Sequence, residues 1–525
     1  MKLPKLLLPI VTAIEFTDLT AFLFLAHGCF CAMAFLTLGA SPYINVTSLG
    51  LILLMDAAFF VALKRSTEKN AAHILIIAWY VLLFFNVRLA ALLLFPPEAL
   101  EFSVGLPGDF LTGDNISDGL LFIVGGMIAI LVGAFAAGNI GRQQQSQTSA
   151  FTGQQLSLWA LTAYWCLTYL AAYYVSVYLG VTIFGTSEHW GNRMAWVRII
   201  LDTDVALMWT FVWALVQWHY FKFTKKQILH VSILVFIWLI FSLVIGSRGG
   251  PLRILIYLFF ALLVIKPKFK LSMINFVGLL AIFFFINASL FTIGTAFRHA
   301  QFGTMTFNEA LSDHKAKDVE FLSYFSTNEQ TNISDARRAF YESTIVKNTA
   351  FKLRTVVTRL AVIDYPLTVV SGDPAPGVVE HYIKSFYPFK HFINNMVPGE
   401  IFDEATIGTP RVFSIAYGGK SLKDISEGYN SEPFTIWGEA WLLAGYMGVP
   451  LLFATAFLLQ LGFYFLQNKL SAGLAGLRFV YIVTMGFGLY SMFGIDLWLT
   501  IFMHFSIASA IAYVFIYFFS NRRYL

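Results

Sequence analysis

The stretch ILHVSILVFIWLIFSLVIGSRGGPLRILIYLFFALLVI (residues 228–265) contains two apolar runs joined by a short glycine-rich turn. Runs of this composition predict a pair of membrane helices. Glycine admits positive φ and proline suits a first helical position, so the glycines and Pro251 predict a tight turn between the helices. The turn also carries two permanent cations, Arg248 and Arg253, and their presence in so short a membrane hairpin indicates a function.

The composition of the whole chain indicates a membrane protein. Of 525 residues, 58% are hydrophobic and only 12% are charged, and the mean hydropathy is +0.70. Soluble domains do not have this balance. The three cysteines, Cys29, Cys31 and Cys166, lie inside apolar runs, so neither a disulfide framework nor a zinc site is predicted. The chain has no nucleotide-binding or zinc-hydrolase motif, and we expect no cofactor, no metal and no nucleic-acid partner.

Windows of about 20 apolar residues predict about twelve transmembrane helices, which makes the expected fold an all-α polytopic membrane protein. One window is longer than the others and contains Gly445, Gly448 and Pro450, which predict a broken or re-entrant helix. The predicted spans are 19–40, 45–63, 71–95, 118–138, 156–180, 199–220, 228–246, 251–266, 272–295, 435–466, 476–494 and 497–519.

Basic clusters follow every second predicted span and therefore all lie on one face of the membrane. The positive-inside rule makes that face cytoplasmic, and both termini lie on the same side. The chain then divides into a first bundle of about nine spans (1–295), a large outer loop (296–434) and a last bundle of about three spans (435–525). The clusters are Lys2–Lys5, Lys64–Lys69, Arg142, Lys222–Lys226, Lys266–Lys270, Lys469–Arg478 and Arg522–Arg523.

Several arginines break the charge pattern on the opposite, outer face. Arg88 lies inside the third span, about two helical turns from its outer end, and an arginine at that depth faces the bundle interior or a water-filled cavity. Arg193, Arg253 and Arg298 flank the outer ends of other spans. Arginine binds phosphate bidentately and does not lose its charge. Together with Arg248, these residues predict an outward-facing phosphate or pyrophosphate site near the lipid headgroups.

Some of these charged residues also have a purely structural explanation. Arg253 could extend its charged head from the first turn of its helix to the membrane surface, and Arg198 could pair with Asp202 one turn away. Asp202 and Asp204 have the spacing of a D-x-D metal motif, but residues i and i+2 point to different faces of a helix, which argues against a shared metal. His27, alone in an apolar span, is expected to be a hydrogen-bonded core residue.

The segment between the ninth and tenth spans (296–434) is predicted to fold as a large, partly helical loop. Apolar residues from Val346 to Ile363 recur at helical spacing, which is typical of an amphipathic helix that lies on the membrane or covers a cavity. Arg359 and Asp364 lie along this stretch. The second part of the loop is rich in glycine, proline and aromatic residues, a composition that favours a folded, substrate-facing loop.

The C-terminal half of the chain resembles the Wzy family, the O-antigen or oligosaccharide-repeat-unit polymerases of bacterial envelopes. The resemblance rests on the order of an S-R-G turn, a large outer loop, and a closing S-x-P-F-x-x-x-G-E-A-W…G-x-x-G pattern. The loop segment NNMVPGEIF (394–402) is also similar to the outer loop of that family, whereas residues 1–220 resemble it only in topology. The matching residues are Ser247–Gly249, Ser431, Pro433–Phe434, Gly438–Trp441, Gly445 and Gly448.

The resemblance implies an enzyme that transfers a growing glycan from undecaprenyl pyrophosphate onto the next lipid-linked repeat unit, at the periplasmic face of the bacterial inner membrane. Donor and acceptor are then both undecaprenyl-pyrophosphate-linked glycans in the lipid bilayer, and a chain-length regulator is left open as a further partner. Arginines would stabilise the leaving pyrophosphate. The attacking hydroxyl needs a general base, for which Glu439 is preferred over Asp364, His299 and His391.

These expectations assign a role to each candidate residue. The expected catalytic residues are Arg248, Glu439 and Arg88. The expected substrate-binding residues are Arg253, Arg298, Arg193, Arg359, Gly249 and Gly250.

Two alternatives to a polymerase stay open at this point. An O-antigen ligase, which hands the finished glycan to a lipid A core, would use the same pyrophosphate site. A flippase or transporter of lipid-linked sugars would not be an enzyme, and it should contain structural repeats and charges along a central path. The chain has no such repeat, and its unusual charges cluster at one face, which favours an enzyme.

Overall fold

The computed structural model of the protein describes a predominantly helical chain. The described residues are 14–67, 70–95, 113–140, 157–174, 202–220, 224–244, 250–265, 268–282, 334–350, 361–378, 409–418, 435–467, 479–486 and 495–521, together with a few isolated positions. They include two short antiparallel strands, β1 (Ile14–Glu15) and β2 (Lys270–Leu271), which the all-α prediction did not contain. Lys268 contacts Glu15 beside the strands at 3.3 Å, so this pairing ties the start of the first span to a predicted cytoplasmic loop.

The described helices cover predicted spans and parts of the predicted outer loop. A π-helical turn, Leu82–Asn86, joins α3 to α4, and 3-10 turns precede α12 (Ala361–Ile363) and α15 (Gly445–Met447). The described helices of at least eight residues are α1 (Phe16–Leu38), α2 (Val46–Arg65), α3 (Ala71–Val81), α4 (Val87–Leu94), α5 (Gly113–Ile140), α6 (Leu158–Tyr173), α7 (Thr203–Tyr220), α8 (Lys225–Val244), α9 (Gly250–Ile265), α10 (Met273–Ile282), α11 (Asp335–Glu342), α12 (Asp364–Ser371), α13 (Thr409–Ala416), α14 (Thr435–Ala444), α15 (Gly448–Gln467) and α16 (Ile495–Asn521).

Seven helices in the described part of the chain are long and apolar enough to cross a membrane. They agree with seven of the predicted spans, and the protein is a helical membrane protein. The predicted spans 156–180, 199–220, 251–266, 272–295 and 476–494 coincide with shorter described helices or extend beyond the described residues. The seven are Phe16–Leu38, Val46–Arg65, Ala71–Leu94, Gly113–Asn139, Lys225–Ser242, Ile501–Ser520 and Thr435–Tyr464, the last of which comprises α14, a 3-10 turn and most of α15.

Local sequence accounts for the boundaries of the first two spans. α1 ends at Gly39, whose φ of 77° is a conformation that glycine adopts readily. Asn45 caps α2 by accepting a hydrogen bond from the backbone amide of Ser48 at 2.9 Å. Lys64–Arg65 form the last turn of α2, where cations interact favourably with the negative end of the helix dipole.

Helices α5 and α15 pack closely against each other in the core. A Cβ atom at Gly133 would lie 2.5 Å from the carbonyl oxygen of Phe453, so only glycine permits this approach. Trp437 of α14 is fully buried and stacks on Tyr80 of α3 with ring centroids 5.7 Å apart. α12, which belongs to the predicted outer loop, packs against both α5 and α14. This part of the loop is therefore integrated into the core of the bundle.

The long apolar run 435–466 is broken, and the prediction made from its glycines and proline is confirmed. α14 ends at Ala444, a 3-10 turn follows, and α15 begins at Gly448. Gly445 has a φ of 54°, a left-handed conformation that favours glycine. The break separates α14, which carries Glu439, from the longer helix α15.

Candidate functional site

Arg88, the arginine inside the third span, forms a buried ion pair with Asp364 at the start of α12. Its Nε atom lies 3.0 Å from both carboxylate oxygens, and its Nη2 atom donates to Oδ2 at 2.5 Å. The two side chains are 1% and 0% exposed. Burial raises the pKa of the Asp364 carboxyl, and the charge of Arg88 opposes that rise. The pair links a membrane span to the predicted outer loop, and Arg88 already binds the carboxylate of Asp364.

The π-helical turn Leu82–Asn86 lies immediately before Arg88 in the span. Turns of this kind interrupt the regular helix and are frequent at functional sites. Asn86 Nδ2 donates to Asp56 Oδ1 of α2 at 2.8 Å, and Asp56 Oδ2 lies 2.7 Å from Nδ1 of His27 in α1. The prediction that His27 is a hydrogen-bonded core residue is confirmed, but sequence reasoning did not identify Asp56 as its partner.

A second buried arginine, Arg337 of α11, was missed by the sequence analysis. Its Nη1 atom donates to the backbone carbonyl of Leu93 at 2.8 Å, and its Nη2 atom donates to that of Gly39 at 2.9 Å. These carbonyls lie at the ends of α4 and α1, where helices have unsatisfied acceptors and negative dipole charge. The available signal was Ser334, which precedes the segment DARR and caps α11 by accepting from the amide of Arg337.

Arg253 forms a partly exposed ion pair near the start of α9. Its Nη1 atom donates to Asp204 Oδ2 at 2.6 Å, while 38% of its side chain is exposed. Asp202 caps α7, since its carboxylate accepts from the backbone amide of Asp204 at 2.7 Å. Asp204 thus holds Arg253, and Asp202 accepts the capping hydrogen bond of its own helix. Arg253 is held by α7, and part of its side chain stays exposed.

Glu439 lies on α14 and is 3% exposed. This helix packs against α12, which carries Asp364. Trp437, also on α14, lies against Phe85 of the π-turn with ring centroids 5.3 Å apart. The structure thereby brings together the three segments that carry Arg88, Asp364 and Glu439, which are widely separated in sequence.

Apart from Gly250, the other residues of the predicted site lie outside the described residues. Gly250 is described as the first residue of α9, so a helix N-terminus follows directly after the S-R-G turn. The predicted site residues that fall outside are Arg248, Gly249, Arg193, Arg298, Arg359, His299 and His391.

An apolar cavity of about 720 Å³ lies between the third span, α9 and α10. Phe84 and Leu255 are part of its wall. Phe84 precedes Arg88 by one helical turn, or about 6 Å, and Leu255 follows Arg253 by two residues. Most of the wall is aromatic or aliphatic, and Lys270 contributes to it near β2. Along the third span the cavity begins about one turn from Arg88, and along α9 it begins two residues from Arg253. From there it extends toward the first residues of the third span and the last residues of α9.

Among the described residues, no cluster of three or more His, Cys, Asp and Glu side chains could hold a metal ion. The chain matches no protein-family model, no curated protein and no solved structure. A functional assignment therefore depends on the chemistry of the residues themselves.

Proposed function

We propose that this protein is a membrane glycosyltransferase that polymerises undecaprenyl-pyrophosphate-linked oligosaccharide repeat units into O-antigen or a similar surface polysaccharide. The observation that carries the proposal is the apolar cavity of about 720 Å³, whose wall includes Leu255, two residues after the partly exposed Arg253 on α9. A lipid-linked pyrophosphate fits this arrangement. Its anionic headgroup at the membrane boundary would bind arginine, and its long apolar chain would enter the cavity.

The proposal includes a specific arrangement in the bacterial inner membrane. The chain crosses the membrane about twelve times, with both termini in the cytoplasm and residues 296–434 as a periplasmic loop. Two buried arginines support docking of that loop on the bundle: Arg88 reaches from a span to the loop, and Arg337 reaches from the loop to two helix ends. A loop held in this way covers the outer end of the bundle, where the headgroups of donor and acceptor would meet.

The reaction breaks the bond between the anomeric carbon of the donor glycan and a phosphate oxygen. A hydroxyl oxygen of the acceptor sugar attacks that carbon, the pyrophosphate leaves with the bonding electron pair, and the hydroxyl proton passes to a general base. Cations placed in advance around the leaving pyrophosphate stabilise the charge that develops on it. No cofactor is needed. The proposed pyrophosphate ligands are Arg248, Arg253, Arg298, Arg193 and Arg359, with Gly249 and Gly250 allowing close backbone approach.

Glu439 is the general base in this proposal, because it lies at the predicted outer entrance of its span, on the helix α14 that packs against α12. Backbone strain one helical turn before Glu439 supports the choice. Thr435, the first residue of α14, has a φ of 61°, which is unfavourable for a β-branched residue, and strained residues cluster at active sites. Arg88 then acts through Asp364, by holding α12 against α14, and not by direct contact with pyrophosphate.

Deletion of the gene, followed by electrophoresis of surface glycan, separates the proposal from its alternatives. A polymerase deletion leaves a single repeat unit on the cell surface and no ladder. Loss of every surface unit would indicate a ligase instead, and accumulation of unpolymerised units inside the cell would indicate a flippase.

Complementation of the deletion with Arg248 variants then tests the site. Lysine keeps the charge but loses the planar fork, so Arg248→Lys should weaken the ladder and Arg248→Ala should abolish it at equal protein level. Loss of one contact of this kind corresponds to about 3 kcal/mol, or about a hundredfold in rate. Lys64→Ala, at an exposed ion pair on the opposite face, is the control and should restore the ladder. A normal ladder with Arg248→Ala would contradict the assigned site.

A further inference from the structure

A polar cluster lies at mid-depth among the first three spans, outside the proposed glycan site. It contains His27 of α1, Asp56 of α2 and Asn86 of the π-turn. His27 and Asp56 are near the midpoints of helices of 23 and 20 residues, so the cluster lies near the centre of the bilayer. Asp56 is 3% exposed and Asn86 is 1% exposed. Ionisable side chains at this depth are rare and mark functional sites.

The hydrogen-bond partners of His27 determine how many protons the cluster holds. Nε2 lies 3.1 Å from the backbone carbonyl oxygen of Asn86, which can only accept, and Nδ1 lies 2.7 Å from Asp56 Oδ2. A neutral imidazole beside an ionised carboxylate has one N–H for these two acceptors, so one contact would bring two lone pairs together. Both contacts are satisfied when the pair holds one more proton, as imidazolium with carboxylate or as imidazole with carboxylic acid.

We propose that His27 and Asp56 form a proton-binding site, which holds one exchangeable proton at neutral pH. With this proton the pair has no net charge, and a pair without it would place an uncompensated negative charge in the bilayer centre. Two further titratable or charged groups lie on neighbouring turns of the same spans. Cys31 Sγ lies 3.4 Å from His27 Nε2, and the cation of Arg88, two residues beyond Asn86, is paired with Asp364.

Loss of the proton has a mechanical consequence. With a single N–H, His27 keeps either its contact to α2 or its contact to the π-turn, but not both. The π-turn leads directly into Arg88 and hence to α12, so proton binding stabilises the packing of the three spans and the segment that anchors the loop helix. This inference does not depend on glycosyl transfer, because it rests on the contacts of His27 alone.

Solid-state NMR of the full chain in lipid nanodiscs tests the inference directly. The protein has ten histidines, so ¹⁵N-histidine labelling with His27→Gln as the reference identifies the His27 signals. At neutral pH we expect either two protonated ring nitrogens on His27, or one together with an infrared band of protonated Asp56 that Asp56→Asn removes. In Asp56→Asn, His27 should become neutral, since the amide can donate to Nδ1 and no carboxylate compensates a cation. A singly protonated His27 beside an ionised Asp56, or an imidazolium that persists in Asp56→Asn, would overturn the proposal.

A second test adds a methyl group beside the pair and leaves both His27 and Asp56 in place. A Cβ atom at Gly28 would lie 3.2 Å from Asp56 Oδ2, so Gly28→Ala should displace the carboxylate from His27. Gly50→Ala in α2 is the matched control, since nothing lies within 4 Å of its added methyl group. We expect the His27–Asp56 pair to lose its shared proton at lower pH in Gly28→Ala than in Gly50→Ala. Equal titration midpoints in the two variants would contradict the proposal.

Discussion

Replacement of Asp364 by alanine should lower the free energy of unfolding by about 3–5 kcal/mol. The estimate follows from the environment of the pair, in which Arg88 is 1% exposed and Asp364 is 0% exposed. Water cannot solvate the guanidinium when its carboxylate is removed, so the mutant retains a buried charge without its counter-ion. An exposed ion pair is the matched control: Lys64 and Asp18 are 47% and 40% exposed, and Asp18→Ala should change stability by less than about 1 kcal/mol.

A double variant separates the effect of the unpaired charge on stability from the effect of lost side-chain volume. Arg88→Met with Asp364→Leu removes both charges and keeps apolar volume, so it should recover most of the stability that Asp364→Ala loses. Reversible unfolding in mixed detergent micelles, followed by tryptophan fluorescence, measures all four proteins. If Asp364→Ala unfolds like the wild type, or if the double variant is no more stable than Asp364→Ala, the buried ion pair does not hold α12 on the bundle.

Three further predictions concern packing, loop docking and orientation. Gly133→Ala should lose about 1–3 kcal/mol of unfolding free energy, because its methyl group would meet a backbone carbonyl at 2.5 Å, whereas Gly125→Ala, whose nearest neighbour is 3.8 Å away, should match the wild type in the same assay. Arg337→Ala leaves two helix-end carbonyls without their donor and should lower stability by about 3 kcal/mol, and a variant as stable as the wild type would exclude this docking role. A cysteine at Gly249 should react with an impermeant maleimide added outside intact spheroplasts, and one at Thr67 should not; labelling of Thr67 would reverse the orientation.

Sequence reasoning identified the membrane fold and the unusual position of Arg88. Both follow from composition and local charge, which are readable without knowledge of tertiary contacts. The break at Gly445 was predictable for the same reason, since glycine and proline act on the chain locally.

Partners distant in sequence were beyond sequence reasoning. Asp364 was noted as a candidate base on the loop, but its pairing with Arg88 across 276 residues depends on how α12 packs. Arg337 was overlooked because its acceptors are backbone carbonyls, which carry no sequence signal. Arg253 was expected to extend toward the surface or to bind phosphate, and its contact with Asp204 depends on the packing of α9 against α7.

The π-turn before Arg88 was not predictable from the sequence either, because it depends on tertiary contacts. The sequence of the third span is typical of a regular helix, and nothing in LLFFN (82–86) by itself favours a π-helical turn. The turn coincides with two tertiary contacts of Asn86: its side-chain amide donates to Asp56 of α2, and its backbone carbonyl oxygen accepts from His27 of α1. Local propensity therefore predicted the span correctly and could not predict its irregularity.

The central claim is that this chain alone joins lipid-linked repeat units, and reconstituted activity tests it most directly. The purified full-length protein in proteoliposomes is mixed with the lipid-linked repeat units that accumulate in the deletion strain, and the products are separated by electrophoresis and mass spectrometry. We predict a ladder of lipid-linked glycans, with one undecaprenyl pyrophosphate released for each bond formed and no added nucleotide or metal. Repeat units that stay unextended while the wild-type protein is folded, or that are transferred to a lipid A core instead, would contradict the account.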